Sequence, residues 1–179
     1  PVEDVIAMDN GIKKIYTGKI VEITKHPDAD KLQVCQVECL TEEGEPVTKQ
    51  IVTAATNVAV GQIVPVAYHK SRLADGTEIK KGKLRGEVSE GMFCSVAEFG
   101  ISSDLVLPEE AQGIYIFPKG TPIGLDVKDV LGLNDIVYEF ELTANRADCF
   151  SMVGLSREFG MMTNQKALFP VIMVNENGE

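Results

Sequence analysis

The chain reads as a mainly β fold, a small barrel or sandwich, with a strand and a helix appended. Three observations predict this. Short apolar runs alternate with Gly, Pro and Asp turn clusters through the first two thirds. Helical signals there are brief. After about Gly124 the pattern becomes one alternating strand followed by a helical period.

The elements follow in order. Ile15–Ile23 (IYTGKIVEI) reads as a strand with Gly18 inside it. Leu32–Cys39 is a second strand. Its apolar phase switches between Val34 and Cys35, which predicts a bulge there. Gln50–Ala54 and Ile63–Tyr68 are further strands, and Pro65 predicts an edge or bulged position for the latter. Glu42–Pro46 and Ala74–Gly76 read as turns. Ser95-Val-Ala-Glu98 fits a capping box on a single turn that Gly100 ends. Asp126 is placed to cap a short helix, Val127–Leu131, closed by Gly132. Ile136, Tyr138, Phe140 and Leu142 alternate with acidic residues, the signature of a half-buried strand. Met152, Leu155, Phe159 and Met162 recur at helical spacing behind Ser151, a fitting N-cap.

Composition narrows the function classes. Of the 179 residues 44% are hydrophobic, enough for a real core. The 17 Lys+Arg against 27 Asp+Glu give −10, the wrong sign for a protein living by non-specific phosphate contacts. Nucleic acid, if bound, requires a local basic patch; solubility is the plainer meaning of the acidity. Four scattered cysteines (Cys35, Cys39, Cys94, Cys149), no signal-peptide pattern and no apolar stretch of the ~18 residues that span a bilayer fit a reduced cytosolic protein. The opening Pro1 and the closing VNENGE read as cuts inside a longer chain.

Two clusters carry candidate chemistry. His26-Pro-Asp-Ala-Asp-Lys-Leu32 joins the first two strands as a turn that Pro27 stiffens. Asp28 and Asp30 are expected to accept hydrogen bonds from the turn's own backbone, leaving His26 and Lys31 to face either solvent or a ligand. Lys80, Lys81, Lys83 and Arg85 gather four cations in six residues, a field that can hold phosphates or, alternatively, protect an edge strand from aggregation. Leu84-Arg-Gly-Glu-Val-Ser-Glu-Gly-Met92 overlaps them. Gly86 and Gly91 permit positive φ or close backbone approach. Ser89 and Ser95 offer hydroxyls, and Met92 offers a soft surface for a base or, as commonly, for a core. Zinc is not supported, because Cys35 and Cys39 lie in a strand pattern without a second pair. No nucleophile signature and no Gly-x-x-x-x-Gly-Lys phosphate loop occur. The residues describe a binder rather than an enzyme.

Gly18-Lys-Ile-Val, the His26–Leu32 turn, Ile51-Val-Thr-Ala-Ala-Thr-Asn57 and Leu84-Arg-Gly…Ser89-Glu-Gly-Met92, in that order, resemble the tRNA-binding barrel module appended to some methionyl- and tyrosyl-tRNA synthetases. The module also occurs as free-standing tRNA-binding proteins. Glu141-Leu-Thr-Ala-Asn-Arg-Ala-Asp-Cys-Phe-Ser-Met-Val-Gly-Leu-Ser-Arg-Glu158 is similar to the segment after the barrel in bacterial phenylalanyl-tRNA synthetase β subunits, with Ala144 and Ser156 departing from the usual Pro and Ala. The resemblance implies a five-stranded OB-fold Greek-key barrel at 13–126, a remnant of a split domain at 1–12, and the second part of that domain at 127–179. It implies tRNA(Phe) and an α subunit as partners, with neither DNA nor membrane, and a cytoplasmic location. ATP and Mg²⁺ would serve the parent ligase; no cofactor and no catalytic residue fall on this stretch. The resemblance adds Asn57 to the RNA-binding candidates. In the second motif, Arg146 is expected to pair with Asp148, with RNA contact as the alternative, and Asn145 to bond the backbone. The standing alternatives are a purely structural packing module and a free-standing tRNA chaperone.

Overall fold

The computed structural model describes residues 1–41, 43–108 and 110–174; Glu42, the first residue of one predicted turn, and the last five residues lie outside them. The chain divides into two compact units. One is Ala7–Val137; the other joins Pro1–Ile6 to the residues from Tyr138 onward.

The larger unit is an antiparallel sheet of five strands: β2 (Lys13–Lys25), β3 (Gln33–Leu40), β4 (Pro46–Thr53), β5 (Ile63–Arg72) and β8 (Met92–Phe93), in the order β4-β3-β2-β5-β8. Two strands, β6 (Gly82–Leu84) and β7 (Glu87–Ser89), form a separate hairpin. The main sheet rolls until its ends meet. β4 is joined to the Ser89–Glu90 stretch just before β8 by single hydrogen bonds instead of a ladder: Glu90 N–H donates to Gln50 O at 2.8 Å, and Val52 N–H to Ser89 Oγ at 3.0 Å. This mainly β, five-stranded antiparallel sheet is consistent with the OB-like fold that the resemblance implies.

Curvature comes from β2. Its register slips against β3 between Ile20 and Glu22 and against β5 between Lys13 and Ile15. The predicted bulge is therefore real but misplaced. β3 pairs with β4 residue for residue from Gln33 to Leu40, Val34 and Cys35 are both buried, and Val21 across the ladder is the extra residue. Gly18 has no room for a side chain: a Cβ would stand 2.9 Å from Val66, 3.0 Å from Val37 and 3.1 Å from Cys39. Pro65 also departs from expectation, because β5 is an inner strand. The missing donor costs nothing there. Thr17, its partner across the ladder, gives its N–H to Leu125 O and takes one from Gly124, so that pair exchanges no bond.

Inside the roll, Ile20, Cys35, Val37, Cys39, Ile51, Val64, Val66, Phe93 and Ile114 form one apolar cluster. Ile12, Ile15, Ala67, Leu73, Cys94, Phe99 and Phe117 form a second, with Val127 and Leu133 from around α1 (Val127–Val130). Asp126 caps α1 as predicted, accepting from Lys128 N–H at 2.9 Å. The capping box is half present. Glu98 accepts from Ser95 N–H at 2.6 Å, but the Ser95 hydroxyl donates to the same carboxylate and caps nothing. Gly100 ends that 3₁₀ turn in the left-handed region, φ 74°. Burial pushes the Cys35 thiol up to about 11 and raises those of Cys39 and Cys94, so all three behave as core hydrophobes.

β1 (Val2–Ala7) pairs with β9 (Ile136–Phe140) in a two-stranded sheet, most of which belongs to the smaller unit. All of β9 is exposed, contrary to the half-buried prediction. Alternation sets a face, but among the described residues nothing covers it. A 3₁₀ segment, Ala144–Phe150, leads into α2 (Met152–Thr163). Ser151 caps α2 as predicted, accepting from Gly154 N–H at 3.0 Å. No helix among the described residues is long and apolar enough to cross a membrane.

Candidate nucleic-acid interface

Of the basic cluster, Lys83 and Arg85 stand on the β6–β7 hairpin, and Lys80 and Lys81 lead into it. Its turn, Leu84-Arg85-Gly86-Glu87, has φ 49° at Arg85 and φ 98° at Gly86. Positive φ at both central residues matches the right-handed twist of the two strands, and glycine accepts it without strain. Arg85 is thereby carried at the hairpin tip. Lys80, Lys81, Lys83 and Arg85 are all exposed. Lys81 is partly spent on Glu90, with Nζ 2.6 Å from Oε1, and that bond holds the Glu90 carboxyl below the usual range. Lys80, Lys83 and Arg85 make no ion pair among the described residues.

The turn that carries Lys31 is tied to this hairpin, and the tie is His26. Its ring is buried, 5% exposed, with Nε2 2.9 Å from Leu84 O, while Nδ1 accepts from Asp28 N–H at 3.1 Å. His26 is therefore turned inward onto Leu84 O, where either solvent or a ligand was expected. It also takes the role assigned to Asp28 and Asp30. Both carboxylates are exposed and accept no hydrogen bond among the described residues, whereas the turn is closed by His26 N–H to Leu32 O and Leu32 N–H to Ala29 O, each at 3.1 Å. Pro27 is exposed at the turn's start. Among the described residues, Lys31, Lys83 and Arg85 remain as cations without an ion pair, on two connected segments.

Other candidates are internal. Asn57 Nδ2 donates to Ile114 O at 2.8 Å and its Oδ1 accepts from Ile114 N–H at 3.1 Å, a clamp on the 112–114 segment. Ser89 is buried; its hydroxyl accepts from Val52 and donates to Gly91 O at 2.8 Å. Gly91 leaves no space for a Cβ, which would strike the Ala67 carbonyl. Ser95 is held by Glu98. Met92 packs half-buried on the core, its plainer meaning.

The second motif is a charge clamp. Arg146 Nε lies 3.2 Å from Asp148 Oδ1 and Nη2 lies 3.0 Å from Oδ2, the expected two-pronged pair; Nη2 also reaches Glu158 Oε1 on α2 at 2.7 Å. These hydrogen bonds from Arg146 lower the Asp148 carboxyl. Asn145 makes no hydrogen bond among the described residues, so its predicted backbone contact is absent.

Sequence reasoning missed Gln50. Its amide donates to Val88 O at 2.9 Å and to Glu87 Oε2 at 3.2 Å, fastening β7 to the barrel. Nothing local marks a strand glutamine for that task. A concavity of about 870 Å³ runs past Lys19, Glu38, Gln62, Lys119 and Thr121 and was equally unforeseen.

The family model tRNA_bind, described as "Putative tRNA binding domain", matches residues 15–125. Phenylalanine--tRNA ligase beta subunits of Clostridium acetobutylicum (47% identical over 92% of this chain and 20% of that protein) and Geobacillus kaustophilus (44% over 99% and 22%) are similar along nearly the whole sequence. So is that of Staphylococcus epidermidis, 47% identical over 99% and 22%. The chain thus spans about a fifth of the length of these relatives. A Naegleria gruberi RNA ligase superposes with TM-score 0.43 at 20% identity, over 75% of this chain and 38% of that one. On the match over 15–125, which holds the barrel and the whole basic hairpin, the chain belongs to the tRNA-binding domain family.

Proposed function

We propose that the chain is an auxiliary tRNA-binding and architectural portion of a phenylalanine–tRNA ligase β subunit. The observation that carries this is the hairpin: exposed Lys83 and Arg85 on a ribbon tied to the turn bearing Lys31, with exposed Lys80 just before it, in an otherwise acidic chain. Such a surface attracts a phosphate backbone and positions it without reading sequence. Few cations take part, so binding is weak and salt-dependent. In this reading the ligand is tRNA(Phe), the location is cytoplasmic, and the parent enzyme pairs the β subunit with an α subunit that uses ATP and Mg²⁺. Residues 13–126 are the RNA-binding domain, and 1–12 with 127–179 are parts of a small domain that it interrupts. Titration of the folded 179-residue chain with tRNA at rising salt tests the RNA role. Affinity that falls steadily with salt supports it, and no binding at low salt removes it.

A second reading, a packing module, is favoured by the net charge of −10 and by the exposed apolar side chains of β1 and β9. It predicts that Lys83→Glu with Arg85→Glu in the parent ligase leaves the KM for tRNA unchanged. The RNA reading predicts a rise.

A further inference from the structure

The two strands of the hairpin are held very differently. β7 is fastened to the barrel through Gln50 on Val88 O and through Ser89, whose hydroxyl bonds Val52 and Gly91. β6 is the outer strand. From outside the hairpin it receives one hydrogen bond among the described residues, His26 Nε2 on Leu84 O. Leu84 is the last residue before the Arg85–Gly86 turn, and its own side chain is 44% exposed, so packing gives that end little hold.

The histidine is built for this contact. Its ring is buried, and Nδ1 is occupied as acceptor for Asp28 N–H. The proton therefore sits on Nε2, where it is donated to Leu84 O. One ring thus joins the turn bearing Lys31 to the tip bearing Arg85. We propose that His26 is a positioning residue for the phosphate-binding surface, holding the outer hairpin strand so that Lys83 and Arg85 stand beside the His26–Leu32 turn, without itself touching RNA. The functional half of this rests on the tRNA-binding reading; the tether itself does not.

Two substitutions separate the halves of the imidazole. In His26→Asn the amide oxygen takes the place of Nδ1 and still accepts from Asp28, but the side chain is too short to reach Leu84. In His26→Gln the amide N–H takes the place of Nε2 and still donates to Leu84 O. Hydrogen exchange across Gly82–Ser89 and tRNA affinity are measured for the 179-residue chain and both variants. His26→Asn is expected to speed exchange in the hairpin about five- to tenfold, the scale of one lost hydrogen bond, and to weaken tRNA binding by up to a similar factor. His26→Gln stays near the parent in both. The salt dependence of binding is unchanged in either variant, because no surface cation is removed. Hairpin exchange in His26→Asn equal to the parent's overturns the tether. Should that variant fail to fold, ring ¹⁵N shifts of the parent chain decide: a proton on Nδ1 overturns the proposal, and one on Nε2 supports it. Faster exchange in His26→Asn together with no tRNA binding by any of the three proteins keeps the tether and overturns the RNA reading.

Discussion

The two compact units handle apolar surface in opposite ways. In Ala7–Val137, Ile15, Ile20, Ile51, Val64 and Phe99 are 1% exposed or less. In the other unit, Tyr138 is 53% exposed, Phe159 67% and Met152 81%. A rolled sheet has an inside, and a two-stranded ribbon with one three-turn helix has none. Cooperative stability therefore belongs to the larger unit, and substitutions of similar chemistry should have very different consequences in the two.

The sharpest test of that contrast is a pair of truncations. Phe99→Ala, in the core, should cost about 3–5 kcal/mol in a urea titration followed by circular dichroism. Phe159→Ala, on the exposed face of α2, should fall within about 0.5 kcal/mol of the parent. Comparable losses at the two sites would contradict the division. Next in size is Gly18→Ala. Val66, Val37 and Cys39 must give way to the new methyl group, at about 1–3 kcal/mol. A neutral result would mean that β2 runs less tightly over the core than described.

The caps should differ too. Asp126→Ala removes the bond that starts α1, whose Val127 is fully buried, and should cost about 1 kcal/mol of global stability. Ser151→Ala removes the equivalent bond at α2 and should loosen that helix in hydrogen exchange while leaving the barrel's urea midpoint in place.

The smallest effect concerns acid. The hydrogen bond from Lys81 lowers the Glu90 carboxyl, so the pair stabilises the folded chain at pH above the ordinary carboxylate range. That contribution fades as pH falls through the folded value. Both groups are partly solvated, which keeps it to at most about 1 kcal/mol. Lys81→Met should reduce the acid sensitivity of the urea midpoint slightly, and an unchanged pH profile would show that the pair contributes nothing.

The same contrast explains what was legible beforehand. Strands β2 to β5 and β9, the Asp126 and Ser151 caps and the Arg146–Asp148 pair are written in local spacing, and each could be read from a few neighbouring residues; β1 and the short β6, β7 and β8 carry too few alternating residues to be read that way. His26, Asn57 and Ser89 could not. Their partners lie 58, 57 and 37 residues away, so whether each polar group faces solvent or a backbone group of a distant strand or turn was decided only when the sheet rolled. The bulge was seen as a phase slip in β3 because buried neighbours mark the strand opposite an extra residue as readily as the strand that contains it. The alternation of Ile136, Tyr138 and Phe140 gave β9 its strand but not its cover, since periodicity names a face and says nothing of what meets it.

The central claim is that the hairpin cations hold RNA phosphates. It is tested most directly by comparing the 179-residue chain with its Lys83→Glu/Arg85→Glu variant in tRNA titrations over a range of salt. Losing two phosphate contacts should weaken binding most at low salt and flatten the slope of log affinity against log salt by about two. Equal affinity and equal slope for the two folded proteins would contradict the account.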